Sequence, residues 1–154
     1  MVRNMTKEQV LSKLTAVCAR GEHCIEDMRK KMGRWQIDEE TQKSVIEFLV
    51  NERYIDEERY ARFFINDKIK YNRWGRKKVE QALYVKRIPK EISSPILDEL
   101  EDETYEDILL PLLKTKIKSV KGNSDYEIRM KLIRFAMQRG FSYDQSVHCV
   151  DKIM

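Results

Sequence analysis

The chain has 154 residues, 36% of them charged and 42% hydrophobic, with a formal net charge of +4. That is enough for one ordinary domain or a few small helical modules with much surface per residue. Five Gly and three Pro are too few to punctuate a strand-and-turn architecture, and no apolar stretch approaches the length of a membrane span.

Thr6-Lys7-Glu8-Gln9 is a capping-box pattern, followed by Val10, Leu14 and Val17 at helical spacing and closed by Gly21. A second helix carries Ile25, Met28 and Met32. A third starts near Asp38, carries Val45, Ile46, Phe48 and Leu49, and ends before Tyr54. Asp56-Glu57-Glu58 places negative charge where a helix start favours it. The helix that follows holds Tyr60, Phe63, Phe64 and Ile69, with the Phe63-Phe64 pair expected in the core. Gly75 precedes a basic helix holding Val79 and Leu83, and Pro89 opens the next, with Ile92, Ile96, Leu97 and Leu100. Leu109, Leu112, Leu113 and Ile117 share a helix that Pro111 should kink or start. Ser124-Asp125-Tyr126-Glu127 and Ser142-Tyr143-Asp144-Gln145 are two further capping boxes, the first helix closing at Gly140.

These elements fall into three groups of three that superpose on Ile37, Ile88 and Phe141. Nine residues before the anchors stand Met28, Val79 and Leu132; nine after stand Ile46, Leu97 and Val150. A three-helix unit of about fifty residues has a thin core, which stacking along a row supplements. The expected fold is therefore all-α: three tandem three-helix repeats, 6–55, 56–102 and 103–154, in an elongated, curved, monomeric arrangement.

Charge runs in blocks. Acids dominate from Asp38 to Glu58 and again from Asp98 to Asp107, bases from Lys68 to Lys90 and from Lys114 to Arg139. Cations on the solvent faces of the middle and last repeats suit phosphates or acidic protein surfaces. The expected contact residues are Arg73, Arg76, Lys77, Arg87, Lys114, Lys118, Lys131 and Arg134. Lys77, Tyr84 and Arg87 should share one flank, with Arg76 at its border. Charge reversal of Arg76, Lys77 and Arg87 should cost binding and spare the fold. Reversal of Glu39, Glu40 and Glu47 should cost far less binding and likewise spare the fold. Binding to bare single-stranded or duplex DNA should be weak, non-specific and salt-sensitive.

Cys18, Cys24 and Cys149 have no metal-ligand spacing and read as reduced thiols of a cytoplasmic protein. His23 and His148 lack ligand-spaced companions. The sequence has no Gly-rich phosphate loop, no G-x-S-x-G and no H-E-x-x-H. The expectation is a binding protein rather than an enzyme, without metal or cofactor. The stretch MVRNMTKEQV has no apolar signal region.

Arg53-Tyr54-Ile55-Asp56-Glu57-Glu58-Arg59-Tyr60-Ala61 resembles the G-Y-L-D-D-x-R-Y-A segment joining the first two repeats of the RecX family. Glu26 to Met32 resembles that family's E-L-R-x-K-L helix, Trp74-Gly75 through Leu83 its G-x-x-x-I-x-x-x-L helix, and Lys131 to Phe141 its third-repeat pattern ending in G-F. The resemblance implies a regulator that lies along the groove of the RecA–single-stranded-DNA filament and lowers recombinase and co-protease activity. Two glycines of the pattern are replaced. Arg53 stands at one, and Trp35-Gln36-Ile37 replaces Lys-Gly-Phe, so the first repeat is expected to turn differently. The residues alone also allow a helix-turn-helix DNA-binding protein or a helical scaffold for another protein.

Overall fold

The computed structural model describes residues 5–154, and among them the fold is nine α-helices without strands. The first group is α1 (Lys7–Arg20), α2 (Ile25–Arg34) and α3 (Glu39–Asn51). The second is α4 (Glu57–Lys70), α5 (Arg76–Val85) and α6 (Lys90–Asp98). The third is α7 (Asp102–Lys116), α8 (Asp125–Gln138) and α9 (Tyr143–Ile153).

The helix starts follow from side-chain chemistry. Thr6 and Ser142 form reciprocal capping boxes with Gln9 and Gln145. Asp38 and Asp56 accept from the N–H of Thr41 and Arg59. At α8 the box is split. Ser124 Oγ accepts from Glu127 N–H, while the Glu127 carboxylate reaches back to the N–H of Asn123 at 3.0 Å. Pro111 lies inside α7, which begins nine residues earlier at Asp102, so it does not mark that helix's start.

The ends of α2, α5 and α8 are the same turn built three times. Gln36, Arg87 and Gly140 take φ of 57°, 56° and 101°. The following N–H groups, of Ile37, Ile88 and Phe141, donate to the carbonyls of Met32, Leu83 and Ala136 at 3.0, 3.0 and 3.2 Å. This is the six-to-one closure of a Schellman motif. The first repeat therefore turns as the third does, against the expectation set by its missing glycine. Gln36 and Arg53 (φ 59°) adopt the left-handed region that costs a Cβ-bearing residue about 1–2 kcal/mol. The tertiary packing of Ile37 and Ile55 on the first core holds them there.

Two cores form. Val10, Leu14, Met28, Met32, Val45, Leu49 and Ile55 make the first, within group one. The second runs unbroken through groups two and three, from Tyr60 and Ala61 to Cys149 and Val150, and takes in Cys24 from the first group. Tyr60 and Ala61 are core residues, as read from the sequence, but Phe63 is exposed and only Phe64 of that pair packs inward. The apolar face of α4 follows Ala61, Ile65 and Ile69 instead. Helices pack on partners of their own group, with α4 on α7 as the principal exception. The accessible surface is 10116 Å², against about 8,200 Å² for a compact monomer of this mass. An extended row of small units accounts for the excess.

Candidate nucleic-acid interface

The second helices meet end to end. At the junction of groups two and three, the N–H groups of Gly75 and Lys77, at the start of α5, donate to the carbonyls of Arg139 and Gly140, just past α8, at 2.8 and 3.1 Å. The orphan donors of one helix thereby satisfy the orphan acceptors of another. A Cβ on Gly75 would stand 2.3 Å from the Gly140 carbonyl carbon, so only glycine permits the approach. The Arg139 guanidinium closes the seam, donating to the Asn72 carbonyl at 2.6 Å and the Arg73 carbonyl at 3.3 Å.

Cations and aromatic rings gather around that seam. Lys78 Nζ lies 4.8 Å from the Trp74 ring centre, and Lys68 Nζ 5.5 Å from the same ring and 5.3 Å from Phe64. Lys116 Nζ is 5.1 Å and the Arg139 guanidinium 5.9 Å from the Phe135 ring. Arg73 and Lys77 are exposed beside them. Of these six cations, only Lys68 pairs with a carboxylate among the described residues, that of Asp67 at 3.5 Å. Half-buried rings hold the charged stems in place, and the surplus positive charge faces solvent.

The other expected contact residues scatter. Arg76 is committed to Asp98 at 2.7 Å and Glu80 at 3.6 Å. Lys131 bonds the Lys121 carbonyl at 2.6 Å and Glu127 at 3.3 Å. Arg87 lies beyond the end of α5 rather than on its flank, and pairs with Glu26 at 3.0 Å. Lys114, Lys118 and Arg134 are exposed and make no ion pair among the described residues. Lys68, Lys78, Lys116 and Arg139 fall within the basic blocks of the sequence but are not among the expected contact residues. Phe64–Lys68, Trp74–Lys78 and Phe135–Arg139 each stand four apart, the first pair within α4, where that spacing brings side chains together, the others spanning the start of α5 and the end of α8.

The junction of groups one and two is ionic. Asp27 meets Lys86 at 2.8 Å, Glu26 meets Arg87 at 3.0 Å, and Glu22 pairs with Arg59. The Glu57 carboxylate accepts the Ile25 N–H at 3.2 Å, capping α2 from another helix. Burial opposes the charge on Asp27, but hydrogen bonds from Lys86 and the Cys24 N–H hold its carboxyl below the usual range. Burial pushes the Glu57 carboxyl up and the Cys24 thiol up to about 11. Among the described residues, no helix is long and apolar enough to cross a membrane.

Three-helix groups stacked in a row, with a basic surface at the second junction, define an all-α helical-repeat protein. Residues 56–94 match the profile described as "RecX, second three-helix domain", and residues 103–149 that of "RecX, third three-helix domain". Regulatory protein RecX of Clostridium perfringens is 32% identical over 123 residues, covering 77% of this chain and 56% of the relative. That of Finegoldia magna is 36% identical over 102 residues, 65% of this chain and 50% of the relative. The chain thus spans about half the length of the curated relatives it matches. The crystal structure of RecX from Lactobacillus salivarius superposes with a TM-score of 0.85 at 16% identity, covering 96% of both chains. A second RecX crystal structure gives 0.87 at 17% identity, over 94% of this chain and 73% of the other. The chain belongs to the RecX family of regulatory proteins.

Proposed function

We propose that the chain docks on the RecA–single-stranded-DNA filament and lowers recombinase activity in DNA repair and recombination. It would act as a cytoplasmic monomer of three repeats, 6–55, 56–102 and 103–154. Family membership supports the partner. The observation that carries the contact is the seam at Gly75 and Gly140, where four cations braced by Phe64, Trp74 and Phe135, with exposed Arg73 and Lys77 beside them, face a single paired carboxylate. A filament groove offers protein carboxylates and DNA phosphates together, and such a surface complements both. Arg73 and Lys77 belong to this seam; Lys114, Lys118 and Arg134 extend the basic surface through the third repeat.

A recognition helix reads bases with its N-terminal residues. The N-terminus of α5 is occupied by the end of α8, and that of α2 faces Lys86 and Arg87, which disfavours a helix-turn-helix use of either. Recombinase ATP turnover on single-stranded DNA, with and without the chain, tests the proposal; a drop is expected, and unchanged turnover at saturating chain overturns it. A gel shift comparing random duplex, random single strand and filament should rank the filament first.

A further inference from the structure

The two junctions are built from different materials. Groups two and three share an unbroken apolar core and a backbone-to-backbone seam. Group one has its own core and is tied to group two by the pairs Asp27–Lys86, Glu26–Arg87 and Glu22–Arg59, with Cys24 its buried foothold. Ion pairs at a surface are weak individually and yield to salt and to competing charge.

The same cations are where a polyanion would arrive. Arg87 is 73% exposed while its partner Glu26 is 11% exposed, so the cation is reachable from solvent and the acid is not. Arg87 also sits in the left-handed region, a conformation that surrounding structure must hold in place. It lines an open depression with Tyr84, Val85, Pro89 and Lys90. Exposed Tyr84 offers a ring to a base, and Lys90 a second cation to the next phosphate. An acidic peptide would satisfy the cations but leave the tyrosine face unused, so single-stranded nucleic acid fits better.

We infer that the first junction is an electrostatic latch: the phosphates of a single strand take Lys86 and Arg87 from Asp27 and Glu26, which leaves the Glu22–Arg59 pair, the Glu57–Ile25 hydrogen bond and buried Cys24 to hold group one, and loosens it against groups two and three. Glu26 and Asp27 act as an internal competitor that lowers nucleic-acid affinity until several phosphates bind together. This rests on the reading of the basic surface as a nucleic-acid contact.

The test uses the full chain, without recombinase, and a random single-stranded oligonucleotide at low salt. Hydrogen exchange of the segment 22–28 should quicken on binding, while Gly75 and Lys77 remain protected. The Glu26→Gln, Asp27→Asn double variant should bind the oligonucleotide several-fold more tightly. Glu39→Gln with Glu40→Gln, which removes the same charge from the first turn of α3, should change affinity less than twofold. Binding that leaves 22–28 unchanged or protects it overturns the latch, as does equal affinity of the Glu26/Asp27 variant and the parent. Equal gains from both double variants would show that only net charge matters, and overturn it too. Opening by poly-glutamate as readily as by the oligonucleotide would overturn the nucleic-acid assignment. Failure of the oligonucleotide to bind at all would sink the underlying contact reading, not the latch alone.

Discussion

Gly75 and Gly140 touch backbone to backbone, and each is glycine for its own reason. Gly75 has an ordinary φ of −83° and is required by space alone. Gly140 needs both the left-handed φ of 101° and the room, since its Cβ would stand 2.5 Å from that of Lys78. Gly75→Ala should therefore pry the seam apart at a cost of about 3 kcal/mol, because backbone cannot step aside as a side chain can. Gly21→Ala, with nothing within 4 Å of the added carbon, should stay within about 0.5 kcal/mol. Urea unfolding of the two variants checks the contrast.

Gln36→Gly should stabilise the chain by about 0.5–1 kcal/mol. The substitution relieves the left-handed strain of a Cβ-bearing residue and returns part of the gain as unfolded-state entropy. Gln36 is exposed, so little packing is lost. An unchanged or lower thermal midpoint would mean that its side chain supports the turn in another way.

Lys77→Glu combined with Arg134→Glu should weaken filament and oligonucleotide binding without changing the unfolding midpoint, since neither side chain holds an ion pair among the described residues. Each lost phosphate contact should flatten the dependence of log K on log salt by about 0.7 for a single strand. Arg76→Glu would set a new carboxylate beside Asp98 and Glu80 and should lower stability by about 1 kcal/mol. Arg76 and Arg87 lie off the apolar core as expected, but their structural pairs make them poor probes of binding. Salt titrations by fluorescence anisotropy, paired with melts, separate the two effects.

The first junction should respond to pH in two opposing ways. The Asp27 carboxyl is held below its ordinary 3.8, so its contribution is complete above that value and disappears as pH falls through the lower folded value. Glu57 is pushed above its ordinary 4.5 by burial. The folded chain therefore holds a proton more tightly there, and stability declines as pH rises from 4.5 through the folded value. Asp27→Asn should remove the acid-side loss; Glu57→Gln should remove the decline above 4.5. Thermal midpoints of both variants across pH 3–7 would show either arm, and a parent profile unaltered by both substitutions would exclude them from the junction's titration.

Nearly all of the fold was legible, because it depends on short-range signals. Thr6, Asp38 and Ser142 announce their helices, and the superposition on Ile37, Ile88 and Phe141 falls on three copies of one turn. Gln36 was misjudged because packing around Ile37 outweighs a local preference of about 1–2 kcal/mol. Phe63 was misplaced because the buried face of α4 runs through Tyr60, Ala61, Ile65 and Ile69, which leaves position 63 on the solvent side. The two junctions were less legible. Lys86 and Asp27 are 59 residues apart, and Arg139 reaches Asn72 across 67; nothing local marks such pairs. The aromatic–cation spacing of Trp74 and Lys78 was readable, although its gathering beside Phe135 was not.

The end-to-end row of α8, α5 and α2 gives the chain a sense of direction. Wherever two helix ends meet, donors face acceptors or acids face cations, and the partial charges of the helix termini are quenched. At the two open ends of the row the termini are compensated by side chains: Asp125 and Glu127 stand in the first turn of α8, and Lys31 and Arg34 in the last turn of α2. A polar track, whose two directions differ, would meet an acidic end leading in one orientation and a basic end in the other. The two ends of the row are thus distinguishable by charge alone.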